Sequence, residues 1–319
     1  MRGIKTGLII AGCLILIGGI IFCIAMVASK WDFSKLSSAK MQTNDYIIEE
    51  DFNNISINED TAKIDFLPAE DGKCKVVCYE DAEKTHDVKV EKDVLVIAYK
   101  SENEWYDNIK INFSTPKITV YLPKSAYDTL KIDSDTSDVK IAKEFTFNTI
   151  DINLSTGDVN CYASATEDIR IKASTGDINV EGITAATLYL TVSTGKITAN
   201  AVDCSGDVNI KVTTGDTHLS DFRCSTLTTD GDTGDITLEH FIASDKLNVV
   251  RSTGDVRLVG ADAGEIYIET DTGKVSGSLL SEKIFIPRTD TGKIDVPKTT
   301  SGGICEITTD TGDIKITIN

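Results

Sequence analysis

From residue 130 to the C-terminus, apolar and polar residues alternate in short runs that recur every 19 or 20 residues. Two such runs flank a Thr-Gly dipeptide in each period but the first, where Ser137 takes the glycine's place. Apolar residues stand seven and five positions before the glycine and two and four after it. One repeat has Ile150, Ile152, Val159 and Cys161; the next has Ile169, Ile171, Ile178 and Val180; the third has Leu188, Leu190, Ile197 and Ala199. The residues between them are polar, as in Asp168, Arg170, Lys172, Asn179 and Glu181. A period of two places successive side chains on opposite faces of a strand, so each repeat predicts two short strands with one aliphatic face. Neither run has the length or the 3.6-residue period of a helix.

One repeat cannot bury that face alone. Ordering its backbone costs about 1–2 kcal/mol per residue, and each buried Ile or Val returns only about 1.5–3 kcal/mol. Stacked repeats share one core, and self-similarity at a fixed period signals such a stack. The expected fold is all-β: a single-stranded, β-helix-like β-solenoid of about ten rungs over residues 130–319. At about 4.8 Å per rung it forms a rod of roughly 45 Å. Nine glycines mark its corners: Gly157, Gly176, Gly195, Gly215, Gly234, Gly254, Gly273, Gly292 and Gly312. A tight corner needs φ > 0, which glycine supplies without steric cost. Two residues before each glycine stands a Ser, Thr or Asp, a side chain short enough to bond a turn amide.

The pattern extends backwards. Ile55, Ile57, Ala62, Ile64 and Phe66 fit the template with Ala62 in the glycine's place, which predicts a worn first rung. Residues 70–122 break the period but keep alternating runs, and these predict an antiparallel sheet closing the N-terminal end, within a capping region of residues 46–129. The chain stops at Asn319 inside its last predicted strand, so the opposite end is expected to be an open edge blunted by Lys315.

Ahead of this body, residues 7–28 are uninterrupted apolar or glycine, long enough to span a bilayer as a transmembrane helix. A cleavable signal has a shorter apolar core of roughly 7–15 residues, so an uncleaved anchor is expected despite a cut-like Val27-Ala28-Ser29. Ile10-Ala11-Gly12-Cys13 has the form of a lipobox, but the apolar run continues past it. Residues 1–6 form a short tail and residues 29–45 a stalk. Arg2 and Lys5 favour an N-terminus inside the cell; Lys30, Lys35 and Lys40 oppose it. A tail this short ahead of a large hydrophilic body favours export of the body.

The formal net charge of −18 argues against nucleic acid as a partner. No phosphate-binding loop, dinucleotide fingerprint or nucleophile elbow occurs, and the three histidines lack metal-ligand spacing. No catalytic residue or organic cofactor is therefore expected. Cys74 and Cys78 share a strand face. Cys204 and Cys224 both lie nine residues after a corner glycine, so they stack on adjacent rungs, as free thiols or as a disulfide. The residue after each glycine is Asp or Lys. Asp271–Lys274 and Asp290–Lys293 look like local pairs, whereas Asp230, Asp232, Asp235 and Asp255 gather on neighbouring corners with no evident cation. Calcium takes six to eight oxygens, so these four form the candidate metal site; a solvated acidic ridge is the competing reading. Trp105 and Tyr106 are either a ligand platform or packing for the cap.

The recurring Ser/Asp-Thr-Gly-Asp/Lys-Ile/Val corner, together with the run from Ile118 to Pro123 leading into Leu130–Asp133, resembles the putative-adhesin family of bacterial β-strand repeat proteins over residues 45–319. That resemblance implies a solenoid-like envelope protein with an N-terminal membrane segment and no established catalytic residues. The expected role is non-enzymatic: a single-pass protein of a bacterial cell membrane whose extracellular solenoid meets an envelope protein or a glycan in adhesion or scaffolding. A cytoplasm-facing scaffold polymerising through its last rung, as bactofilin-like β-helices do, is the alternative. A polysaccharide-cleaving β-helix is the third; its long cleft-building loops are missing here.

Overall fold

The computed structural model describes residues 2–28, 31, 40–99 and 114–319. One helix (Arg2–Ala28) is followed by strands throughout. Its segment Ile10–Ala28 is apolar enough and long enough to cross a membrane, with mean hydropathy 2.8. Ile15, Leu16 and Ile21 on this segment are exposed. Trp105 and Tyr106 lie outside the described residues.

The body is a β-solenoid of about ten turns. Successive rungs pair in parallel and in one register: Ile150 lies between Leu130 and Ile169, and Val159 between Val139 and Ile178. The repeated aliphatic columns meet in one buried core. The alternation of 19- and 20-residue spacings has a local cause. Between Ala243 and Lys246 the register shifts by one residue, so the extra residue is spent in a bulge and the corners stay aligned.

A second corner falls six residues after five of the nine glycines and is much less visible in the sequence. There the chain turns through φ of +67° at Gly182, +52° at Ala201, +48° at Asp221, +50° at His240 and +60° at Gly260. Only two of these five are glycine, because nothing crowds this corner. An ideal Cβ on Gly182 meets no atom within 4 Å.

At the N-terminal end, Asn54–Glu59 and Lys63–Pro68 form a true rung: Ile55 pairs with Leu130, Ile57 with Ile132, Ile64 with Val139 and Phe66 with Ile141. What lies beyond it differs from a purely antiparallel sheet. Val94–Tyr99 and Lys117–Leu122 continue the parallel stack as one further partial rung. On their other side these two strands pair antiparallel, Lys117–Leu122 with Cys74–Asp81 and Val94–Tyr99 with His86–Glu91, and Met41–Ile48 adds to Cys74–Asp81 in the same sense.

The C-terminal end corrects the expected edge. The last rung in sequence is not the last in space. Gly303–Thr311 and Ile314–Ile318 insert between the rung of Gly273 and the rung of Gly292. The outermost strands are therefore Lys283–Thr291 and Ile294–Asp295, and Lys315 is internal to the stack. This order explains an oddity of the sequence: Pro287 occupies a column otherwise held mostly by Ile, Leu and Val. Proline has no N–H for a central ladder and is tolerated on an edge strand, where it also refuses an incoming one.

Candidate functional site

The glycine corners form a column along the rod. Their φ values run from +128° at Gly157 to +159° at Gly312, Gly273 and Gly292 excepted. Space is the harsher constraint. A Cβ on Gly176 would sit 2.1 Å from the Gly157 carbonyl oxygen, and one on Gly195 2.0 Å from that of Gly176. The column confirms the stack order, since Gly312 lies over Gly273 and Gly292 over Gly312.

Where an aspartate follows the glycine, it has a job the sequence did not reveal. Its side chain accepts a hydrogen bond from the main-chain N–H of the equivalent residue one rung on. Asp158 Oδ1 takes that of Asp177 at 2.8 Å, Asp177 Oδ1 that of Lys196 at 2.8 Å, and Asp235 Oδ1 that of Asp255 at 2.8 Å. Asp313 Oδ1 takes the N–H of Lys293 at 2.8 Å, running backwards in sequence as the inserted rung requires. Repulsion along this ladder is met between rungs by Lys196 with Asp216 at 3.9 Å, and beside it Lys211 pairs with Asp230 at 3.4 Å. Among the described residues neither Asp271–Lys274 nor Asp290–Lys293 forms an ion pair.

Asp230, Asp232, Asp235 and Asp255 are all exposed on adjoining corners. They are not without a cation. Arg251 lies beneath them, 1% exposed, with Nη1 donating to the Val212 carbonyl at 2.7 Å and Nη2 to Thr217 Oγ1 at 3.1 Å. Burial pulls its pKa down, and Asp230, Asp216, Asp232 and Asp235 push it back up. Gly231 makes the room: a Cβ there would fall 1.9 Å from Arg251 Nη1. Two of the four carboxylates are also engaged elsewhere, Asp230 with Lys211 and Asp235 with the N–H of Asp255. Arg251 and Lys211 thus bring positive charge to these corners.

The densest chemistry lies at the other end of the rod. His86, Glu80, Glu59 and Cys78 are all buried at 2% exposure or less. They come from three strands: Glu59 from the first rung, Cys78 and Glu80 from Cys74–Asp81, and His86 from His86–Glu91. The His86 Nε2 meets Glu59 Oε2 at 2.5 Å and its Nδ1 meets Glu80 Oε2. The main-chain N–H of His86 donates to the same Glu80 oxygen at 2.7 Å, and Asn44 Nδ2 donates to the other at 2.5 Å. Glu59 Oε1 accepts the Thr61 N–H at 3.0 Å, and the Tyr99 ring stacks on the imidazole at 4.4 Å.

Burial alone would lower the His86 pKa, but hydrogen bonds to Cys78, Glu59 and Glu80 outweigh it and lift the value to about 10. Burial pushes the Cys78 thiol up, against the pull of His86. Ligand atoms of Cys78, Glu80 and His86 all lie within 4.8 Å of one another. Histidine spacing alone missed this cluster. Strand phase carried a signal: Glu80 continues the inward face of Cys74, Val76 and Cys78, and Glu59 that of Ile55 and Ile57. A carboxylate in an inward phase needs a partner.

The remaining candidates are plainer. His240 and Asp221 are exposed, 3.3 Å apart, on adjacent second corners. Cys204 and Cys224 are buried free thiols, and Cys204 Sγ donates to the Ala186 carbonyl at 3.2 Å. A cavity of about 490 Å³ opens beside Phe52 and Tyr127 under an acidic rim of Glu49, Glu50 and Asp51.

Toastrack DUF4097 is the family whose pattern matches, over residues 52–240 and again over 202–319. No curated protein matches the chain. Among solved structures, a putative adhesin of Parabacteroides merdae is 13% identical with a TM-score of 0.51, covering 76% of this chain and 97% of its own. One from Parabacteroides distasonis is 15% identical at a TM-score of 0.47, covering 76% and 98%. One from Bacteroides fragilis is 19% identical at 0.42, covering 88% and 99%. At these identities the likeness concerns the fold.

Proposed function

Since the chain belongs to the Toastrack DUF4097 family, we propose that it is a non-enzymatic surface protein, held by one uncleaved membrane helix and presenting its solenoid outside the cell for adhesion or envelope scaffolding. One observation carries this reading: ahead of a stack of uniform rungs the chain has a helix long and apolar enough to cross a membrane, with most of its described apolar side chains exposed. The neighbours named as adhesins are consistent with a binding role. From residue 130 onward the rungs are short and uniform, and the acidic exterior favours basic or cation-bridged partners in the envelope. A membrane-impermeant amine crosslinker applied to intact cells tests it. The rod should be labelled and should carry a captured envelope protein or glycan. A rod labelled only after lysis would reject the reading.

A specific feature favours a second reading, assembly end to end. The outermost rung leaves Ile284, Ile286 and Ile294 exposed, with Ile304 beside Ile284. Clustered exposed aliphatics mark contact surfaces. Sedimentation of the detergent-solubilised chain should then show association that Ile284→Lys/Ile286→Lys removes; a monomer at all concentrations rejects it.

A further inference from the structure

We propose that Cys78, Glu80 and His86 form a binding site for a zinc-class divalent metal ion, buried where the N-terminal strands join the first rung. Three observations converge on it. The donors lie on two separate strands that contribute to the buried core with Val76, Leu95, Ile97 and Ile118. Their ligand atoms lie within 4.8 Å of one another. Tetrahedral zinc, with bonds of about 2.0–2.3 Å, asks for separations of roughly 3.3–3.6 Å between donors, so small side-chain rotations suffice.

The donor set also selects the metal. A thiolate and an imidazole suit zinc better than calcium or magnesium, which take oxygen ligands. The surroundings are those of a supported site. With Nδ1 on the metal, the Nε2–H of His86 points at Glu59 Oε2, 2.5 Å away, the carboxylate that fixes tautomer and ring orientation. Asn44 orients Glu80 in the same way through its other oxygen.

Thiolate and neutral imidazole are the forms that ligate, so binding releases protons and is pH-dependent. Because Glu59 belongs to the rod and the three ligands to the strands that close it, an occupied site would fasten that end to the first rung. The proposal does not depend on which side of the membrane the rod occupies.

The test uses the full chain in detergent, stripped with chelator and titrated with cobalt(II), a coloured stand-in for zinc. The expected result is one equivalent bound, a thiolate-to-cobalt absorption band, displacement by zinc, and a melting temperature raised by zinc. Cys78→Ser should lose the band while Cys74→Ser keeps it. Glu59→Gln leaves all three ligands in place and should weaken zinc by about 10- to 100-fold. If folding of a variant fails, the wild-type titration decides alone. No thiolate band and no zinc-dependent shift would mean that the cluster holds protons only, and the proposal would fall.

Discussion

At the scale of single residues, two kinds of corner make opposite demands. The Thr-Gly corner was visible in the sequence because, from Gly157 onward, every rung places glycine there. The second corner was hidden because Ala201, Asp221 and His240 share it with glycine. Gly195→Ala should therefore destabilise the rod by roughly 1–3 kcal/mol or more, from positive φ and a collision with the Gly176 carbonyl together. Gly182→Asn, at a corner with open space, should cost little, since Asn tolerates the left-handed region. Urea unfolding of both variants checks this, and equal losses would contradict it. Asp177→Ala removes the bond to the Lys196 N–H and should cost about 0.5–1.5 kcal/mol, less than the glycine change.

Buried thiols set an alkaline limit. Burial lifts Cys74, Cys161, Cys224 and Cys305 from 9.0 to about 12. Below pH 9.0 the thiol is neutral in both the folded and the unfolded chain, so its contribution is fully present. As pH climbs towards 12 the unfolded thiol ionises first, and that contribution is lost. Urea midpoints should fall across this window, and Cys161→Val should make the fall shallower. An unchanged slope would contradict the assignment.

At the scale of elements, alternation placed the strands and their inward faces because burial enforces period two. The order of the last two rungs was not legible, because both carry the same corner and nearly the same columns. Pro287 in an aliphatic column was the one clue. The inserted rung joins its two neighbours, so removing residues 303–319 should also release Lys283–Thr291. Hydrogen exchange should show protection lost over residues 283–295 as well as over the deleted segment. Retained protection there would mean that the rungs stack in sequence order. Likewise Pro287→Ile restores a donor on the open edge and should promote association on sedimentation.

At the scale of the whole molecule, the regular period was enough to specify a rod, because identical rungs have one way to share a dry interior. The buried polar residues were not legible to the same degree. Arg251 and the His86 cluster depend on neighbours distant in sequence, such as Thr217 and Glu59, 34 and 27 residues away. A single-sequence period averages such exceptions out, yet they carry the most chemistry.

The central claim is that the membrane helix presents this rod on the outer side. A site for a sequence-specific protease, placed within residues 32–39 between helix and rod, tests it most directly. Adding that protease to intact cells should release a folded rod into the medium and leave the helix in the membrane. A rod that stays with the cells, and is freed only once they are broken, would contradict the account.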